Sequence, residues 1–328
     1  MKHEPLSSIR FKDGFTSSTY LPDHILTSSI TGSVCKWNLE SGNPIATFDT
    51  KPGIKYCIPY SIDYSTYNSL ILQEQDAISL FDLNDNVVYD VAKISPGSFA
   101  RVSLLPRGSS DLPLVISPFG LNFVKIFDLR LHQGSLSSSA IAEIPPFRIE
   151  HPLKSEVGML HSCSPFPSLG EFCIVTTYES GSIALYDIRK PTSPVIPVYI
   201  MDSLEPIPAL SVWENVLLIG DTVGNIWMFY ASQDKGVVFL KRSNVARDSI
   251  KPPGIACLGI SCDGSVLAAG CWDRCVRVLE TKTLELKFIL DHHCSSIVDV
   301  SFSRDSNAFC TCSSDGNANV WDLFSHLT

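Results

Sequence analysis

The chain has 328 residues, of which 45% are apolar and only 18% charged, and it carries a formal net charge of −9. An acidic surface offers no basic face to hold nucleic acid or an anionic bilayer nonspecifically, so neither is expected as a partner. No apolar run approaches the roughly 20 residues of a membrane-spanning helix, and Met1-Lys2-His3-Glu4-Pro5 lacks the apolar stretch of a secretion signal.

Taken in chain order, short apolar alternations separated by Gly, Asp and Ser turns predict strands throughout. Leu6–Gly14 reads as an inner strand and its turn, by analogy with Val300–Asp305 near the other end. Strand pairs follow at Ile25–Ser29 with Ser33–Trp37, Ser69–Leu72 with Ala77–Phe81, and Leu114–Ser117 with Phe123–Phe127. Next come Phe172–Thr177 with Ser182–Tyr186, then Ala209–Val212, Val216–Ile219 and Asn225–Phe229. The C-terminal third is the most regular. It predicts Ile255–Ile260, Val266–Gly270, Val276–Leu279 and Thr283–Leu290, then Ser296–Phe302, Ala308–Ser313 and Asn317–Trp321.

Seven residue pairs mark the ends of these groups: Trp37-Asn38, Phe81-Asp82, Phe127-Asp128, Tyr186-Asp187, Phe229-Tyr230, Leu279-Glu280 and Trp321-Asp322. The steps between them are 44, 46, 59, 43, 50 and 42 residues. A period in the low-to-mid forties with short strands before each pair is the signature of WD repeats. The expectation is an all-β, seven-bladed WD-repeat β-propeller that occupies residues 1–328 as a single domain.

Two steps are long, and composition places insertions near residues 131–146 and 232–253. The first holds Gly134 and a run of Ser before Pro145-Pro146. The second carries Lys235, Lys241, Arg242, Arg247 and Lys251. Both read as loops, either solvated or forming an interaction edge, with the basic one as the candidate contact. Closure of the propeller is expected to be irregular. If Leu6–Gly14 is an inner strand, only Met1–Pro5 precede it, so the seventh blade is three-stranded, closed by other residues, or missing a start.

Eleven cysteines suggest a disulfide or metal framework until their setting is read. Most sit in strand-like runs, where a free thiol is a small buried hydrophobe. No C-x-x-C pair accompanies Cys257, Cys262, Cys271, Cys275, Cys294, Cys310 and Cys312, so no metal is expected. No phosphate loop, H-E-x-x-H or G-x-S-x-G elbow is present, so neither catalysis nor a cofactor is expected. WD repeats commonly link a His, a Ser or Thr, an Asp and a Trp by hydrogen bonds within one blade. His293, Thr311 or Ser313, Asp315 and Trp321 occupy those places in the last repeat. The set is read as structural, with Asp315 buried among donors, so that Asp315→Ala should cost roughly 2–4 kcal/mol. Other repeats keep only a turn acid: Asp76, Asp221 and Asp273.

Pro253-Gly254-Ile255-Ala256, Cys262-Asp263-Gly264 and Gly270-Cys271-Trp272-Asp273-Arg274-Cys275-Val276-Arg277-Val278 resemble the pattern of one WD-repeat family. His293, Ile297, Phe302, Ser313-Ser314-Asp315-Gly316 and Trp321 extend the likeness, as do Tyr178-Glu179-Ser180-Gly181-Ser182 and Glu205-Pro206-Ile207. The family contains the ASTRA-associated WD-repeat protein and the G-protein-β-subunit-like protein 1. Cys271 and Cys275 depart from its pattern. The resemblance spans roughly residues 172–323. It implies a noncatalytic scaffold in the cytoplasm and nucleus, monomeric within a larger complex. Its implied partners are the co-chaperone machinery that stabilises phosphatidylinositol-3-kinase-related kinases and, in fungi, chromatin-linked complexes. The competing readings are a Gβ-like signalling adaptor, which normally begins with a helical coiled-coil segment, and a propeller enzyme or metal protein.

Overall fold

The computed structural model describes residues 4–60, 68–94, 97–108, 111–129, 140–151, 154–196, 198–201, 204–245 and 253–323. Its strands are numbered in chain order from β1 (Ser7–Arg10). The first sheet holds β2 (Phe15–Tyr20), β3 (His24–Ser29), β4 (Ser33–Asn38) and β5 (Pro44–Asp49). The second holds β6 (Tyr56–Tyr60), β7 (Ser69–Gln73), β8 (Ala77–Asp82) and β9 (Val87–Lys93). The third is formed by β10 (Ser103–Arg107), β11 (Asp111–Phe119), β12 (Phe123–Phe127) and β13 (Ala142–Ile144), and is followed by a two-stranded hairpin of β14 (Arg148–His151) and β15 (Lys154–Glu156). The fourth comprises β16 (Leu160–Pro165), β17 (Cys173–Tyr178), β18 (Ser182–Asp187) and β19 (Tyr199–Ile200). In the fifth are β20 (Ala209–Trp213), β21 (Val216–Gly220), β22 (Asn225–Ser232) and β23 (Gly236–Asn244). The sixth contains β24 (Ile255–Ile260), β25 (Val266–Cys271), β26 (Val276–Glu280) and β27 (Glu285–Leu290). The seventh runs β28 (Ile297–Phe302), β29 (Ala308–Ser313), β30 (Asn317–Asp322) and then β1. These four-stranded sheets are the seven blades of an all-β propeller.

The chain divides into two compact units, one made of Met1–Cys57, Thr222–Ile226 and Arg242–Thr328, the other of Ile58–Asp221 and Trp227–Lys241. In the first, Ile9, Phe15, Ile25, Cys35, Trp37, Cys310, Cys312 and Val320 pack the first blade against the seventh. Val276, Val278, Leu290, Ile297, Phe309 and Trp321 pack the sixth against the seventh. In the second unit, Leu114, Ile126, Leu160, Ile174, Tyr178 and Tyr186 join blades three and four. Val175, Leu185, Leu217, Ile219, Trp227 and Phe229 join blades four and five. Strands covered on both faces read as unbroken runs of small and apolar residues. All six residues of β17 (CIVTTY) and of β25 (VLAAGC) are buried.

A register shift recurs early in the first hairpin of blades one, four, six and seven, between Phe15 and Ser17, Leu160 and Ser162, Ile255 and Cys257, and Ile297 and Asp299. Such a bulge bends the strand and re-aims its side chains.

The expected irregular closure is corrected. The segment read as an inner strand is the outer strand of blade seven, with Ser7 opposite Val320 and Arg10 opposite Asn317. The Leu6 and Phe11 N–H groups extend the ladder to the carbonyls of Val320 and Gly316. Blade one takes its inner strand from Phe15–Tyr20 instead. Alternation of apolar residues is the same in both segments, and period alone does not say which edge a strand joins. The two supposed insertions are corrected in part. Ala142–Ile144 and Gly236–Asn244 are the outer strands of blades three and five, while residues 131–139 and 246–252 lie outside the described ones.

Candidate functional site

The polar set of blade seven is built around the turn that joins β29 to β30. Gly316 has φ of 79°, and a Cβ there would collide with the Phe11 carbonyl of the closing strand. Only glycine meets both demands. Beneath the turn, the Trp321 indole N–H donates to Thr311 Oγ1 at 2.9 Å, and that hydroxyl lies 2.8 Å from His293 Nε2. That hydroxyl therefore accepts from tryptophan and shares a second hydrogen bond with the imidazole. Asn319 Nδ2 sits 3.3 Å from the same Nε2. The His293 pKa falls to about 4, because burial outweighs the opposing charge of Asp315. The ring is therefore neutral near pH 7.

Of the two alternatives, Thr311 is the linking hydroxyl. Ser313 instead donates to the Ser295 carbonyl at 3.0 Å and accepts from the Asp315 N–H at 3.3 Å. Asp315 is only half-buried, which corrects its expected burial. Its carboxylate accepts the N–H groups of Cys294 at 2.6 Å and Asn317 at 2.8 Å. Burial raises its pKa, but these two donors prevail and hold it below the ordinary carboxylate value. His293 Nδ1 has no hydrogen-bond partner, so no hydrogen bond joins the imidazole to the carboxylate. Both hydroxyl-bearing members, Thr311 and Ser313, are wholly buried.

The remaining turn acids divide. Asp273 forms a two-pronged ion pair with Arg277, at 2.9 Å to Nη1 and 2.7 Å to Nη2, while Arg277 Nε donates to the Val245 carbonyl at 3.1 Å. Burial lowers the Arg277 pKa, but Asp273 more than compensates and raises it. Asp221, fully buried, accepts the Trp227 indole N–H at 2.9 Å. Asp76 is exposed. The buried acid of that blade is Glu74, which accepts the Ser79 hydroxyl at 2.7 Å. Blade one repeats the tryptophan bond, from Trp37 Nε1 to Thr27 Oγ1 at 2.8 Å, and at its turn Thr31 donates to Asp13 at 2.9 Å. A charged residue inside the apolar run Val276–Glu280 was the available signal for Arg277. Glu74 gave none, being one of several polar residues at its turn.

On the outside, Lys235 is exposed in the turn before β23, Lys241 is half-buried on that strand and Arg242 is exposed there. Arg247 and Lys251 lie outside the described residues. Trp272 is 49% exposed at the β25–β26 turn and rests against Gly254, which has no side chain to hold it off. Eight of the eleven cysteines are buried, all eleven are free, and burial drives the Cys163 and Cys271 thiols up to about 12. Among the described residues no three His, Cys, Asp or Glu side chains group as a metal site.

Residues 249–279 and 284–322 match the family model described as WD domain, G-beta repeat. Over 307 residues the chain is 23% identical to guanine nucleotide-binding protein subunit beta-like protein 1 of Mus musculus, covering 92% of this chain and 87% of that protein. A stretch of 67 residues is 43% identical to SEC12-like protein 1 of Arabidopsis thaliana, covering 20% of this chain and 16% of the relative. Another 141 residues are 24% identical to an uncharacterised WD-repeat-containing protein of Schizosaccharomyces pombe, covering 37% and 26%. Blades with a recurring strand plan, two matched repeats and a likeness that runs through most of the sequence make this chain a WD-repeat β-propeller protein similar to guanine nucleotide-binding protein subunit beta-like protein 1.

Proposed function

We propose that the protein is a noncatalytic scaffold that joins other proteins, working in the cytoplasm and nucleus as a single propeller within a larger assembly. The observation that carries this reading is the likeness to the beta-like protein 1 over 92% of the chain. The finer proposal names the partners. They are the co-chaperone machinery that stabilises phosphatidylinositol-3-kinase-related kinases, together with chromatin-linked complexes. The family resemblance of the C-terminal third supports it. Depletion in cells followed by immunoblotting for those kinases, with affinity purification of the tagged full chain, tests it. Lower kinase levels and recovered co-chaperones are expected. Unchanged kinase levels with no co-chaperone recovered would refute the finer proposal.

A further inference from the structure

A proline directly after a serine marks the acceptor of one large class of protein kinases, and the chain holds four such pairs: Ser95-Pro96, Ser117-Pro118, Ser164-Pro165 and Ser193-Pro194. The fold sorts them. Ser117 is wholly buried in β11, and Ser164 is half-buried on β16, in register with Val175. Ser95-Pro96 lies outside the described residues. Ser193 is exposed, in the loop that joins β18 to β19 of blade four. Of the four serines it alone has a second proline two positions earlier, in Pro191-Thr192-Ser193-Pro194. Lys190 and Ser193 thus each precede a proline, which biases both away from the helical region and toward the extended backbone that a kinase cleft grips. The loop is held at both ends and bare between them. At its start Asp187 accepts the Arg189 backbone N–H at 2.9 Å and the Arg189 Nε–H at 2.9 Å. At its end the Val195 N–H donates to the Leu185 carbonyl at 2.7 Å, and Ile196 is buried in the core that joins blades four and five. Thr192 and Ser193 stand exposed between these anchors.

We propose that Ser193 is a phosphorylation site for a proline-directed protein kinase, with Mg-bound ATP as the phosphoryl donor. In that step Ser193 Oγ forms a bond to the γ-phosphorus of ATP while the bond from that phosphorus to the β,γ-bridging oxygen breaks. ADP leaves, and the hydroxyl proton passes to the kinase's catalytic base. Arg189 lies three residues before Thr192, a spacing read by kinases that select arginine. Its guanidinium, however, is held by Asp187 and lies 4.9 Å over the Phe172 ring, which leaves the prolines as the recognition signal and Ser193 as the acceptor. The product adds about −1.5 to −2 of charge and three strong acceptor oxygens at neutral pH. Neither Thr192 nor Ser193 is part of the blade's core, so the phosphate changes what the surface presents rather than how blade four packs. The inference goes beyond the scaffold reading and does not depend on it, since the kinase acts on the isolated chain.

The test incubates the purified full chain with a proline-directed kinase and Mg-bound ATP, and locates the phosphate by tandem mass spectrometry. Ser193 should be the main acceptor, with Ser117 and Ser164 unlabelled in the folded chain. Ser193→Ala should lose nearly all incorporation. Pro194→Ala should do the same, because it keeps the hydroxyl and removes the signal. Both variants, and the phosphorylated chain, should keep the parent melting temperature by circular dichroism, as exposed changes do. Incorporation undiminished in either variant, labelling of Thr192 in place of Ser193, or no labelling at all would overturn the inference. A phosphorylated chain that melts at a lower temperature would overturn the placement of the phosphate clear of the core. Chain purified from cells with phosphatase inhibitors present should carry phosphate at Ser193. Its absence there would sink the assignment and leave the scaffold reading standing.

Discussion

Blades six and seven follow one another in the chain, share a strand plan and place an aspartate at the same turn, yet they satisfy their buried polar groups differently. Blade seven uses a neutral chain in which Trp321 donates to Thr311 and the same hydroxyl is bonded to His293. Blade six has Leu279 where Trp321 stands, and inserts Arg277 as a fork onto Asp273 with a third bond to Val245. The turn acid is common to both, but its role is not. Asp315 ties down loop N–H groups, whereas Asp273 neutralises a guanidinium whose side chain is only 7% exposed. The repeat's polar signature can thus fade while a different buried donor, Arg277, finds its acceptors in Asp273 and Val245.

The sharpest break in this comparison is Arg277→Met. It leaves Asp273 without its cation and the Val245 carbonyl without its donor, and should cost about 3 kcal/mol of stability, since half of a buried pair is worse than none. Urea unfolding measures it, and a loss under about 1 kcal/mol would show the pair to be dispensable. Thr311→Val should cost about 2–3 kcal/mol, because it orphans the Trp321 donor and the main partner of His293 at once. The same measurement on Thr27→Val in blade one gives the value for a tryptophan bond without a histidine.

The third prediction separates the blades by pH. His293 has a folded pKa of about 4 against an unfolded value near 6.5, so between these limits the unfolded chain binds more protons. Stability from this group is fully present above pH 6.5 and is lost as pH falls toward 4, by about 2 kcal/mol between pH 7 and 5. His24 and His161 are also lowered by burial and add in the same sense. The His293→Gln chain should show a shallower acid slope, and an unchanged slope would place the effect elsewhere. Asp315→Ala should cost about 1–2 kcal/mol, below the 2–4 expected for a buried acceptor, because the carboxylate is half-exposed. Asp76→Ala should lie within about 0.5 kcal/mol, as exposed substitutions do. A loss for Asp76 matching that for Glu74→Ala would reverse the assignment of the second blade's acid.

How far the strands were legible depended on their neighbours. Ile255–Ile260 and Ala308–Ser313 coincide with the predicted elements end to end, because both faces are covered and turns with Gly or Asp bound them. β23 was hidden behind its cations, which composition assigns to a loop although an outer strand tolerates them on its open side. β2 was hidden because Phe15–Tyr20 is mostly Ser and Thr. The Ser17 hydroxyl lies 2.6 Å from that of Ser28 and accepts the Cys57 N–H at 3.1 Å, while the backbone N–H groups of Ser18 and Tyr20 donate to the side chains of Asp299 at 2.9 Å and Ser301 at 2.8 Å.

By itself the amino-acid order determined the repeat, the all-β class, the turn at Gly316 and the candidate members of the blade-seven network, because these depend on spacing within one hairpin. Tertiary structure alone decided that Ser7–Arg10 closes blade seven, where Ser8 reaches Asn319 from the far end of the chain at 2.8 Å. It also decided that Thr311 rather than Ser313 carries the network and that Arg277 replaces it in blade six. Local pattern tells which side of a strand turns inward. Which strand lies beside it, and which donor meets which acceptor, is a property of the assembled sheets.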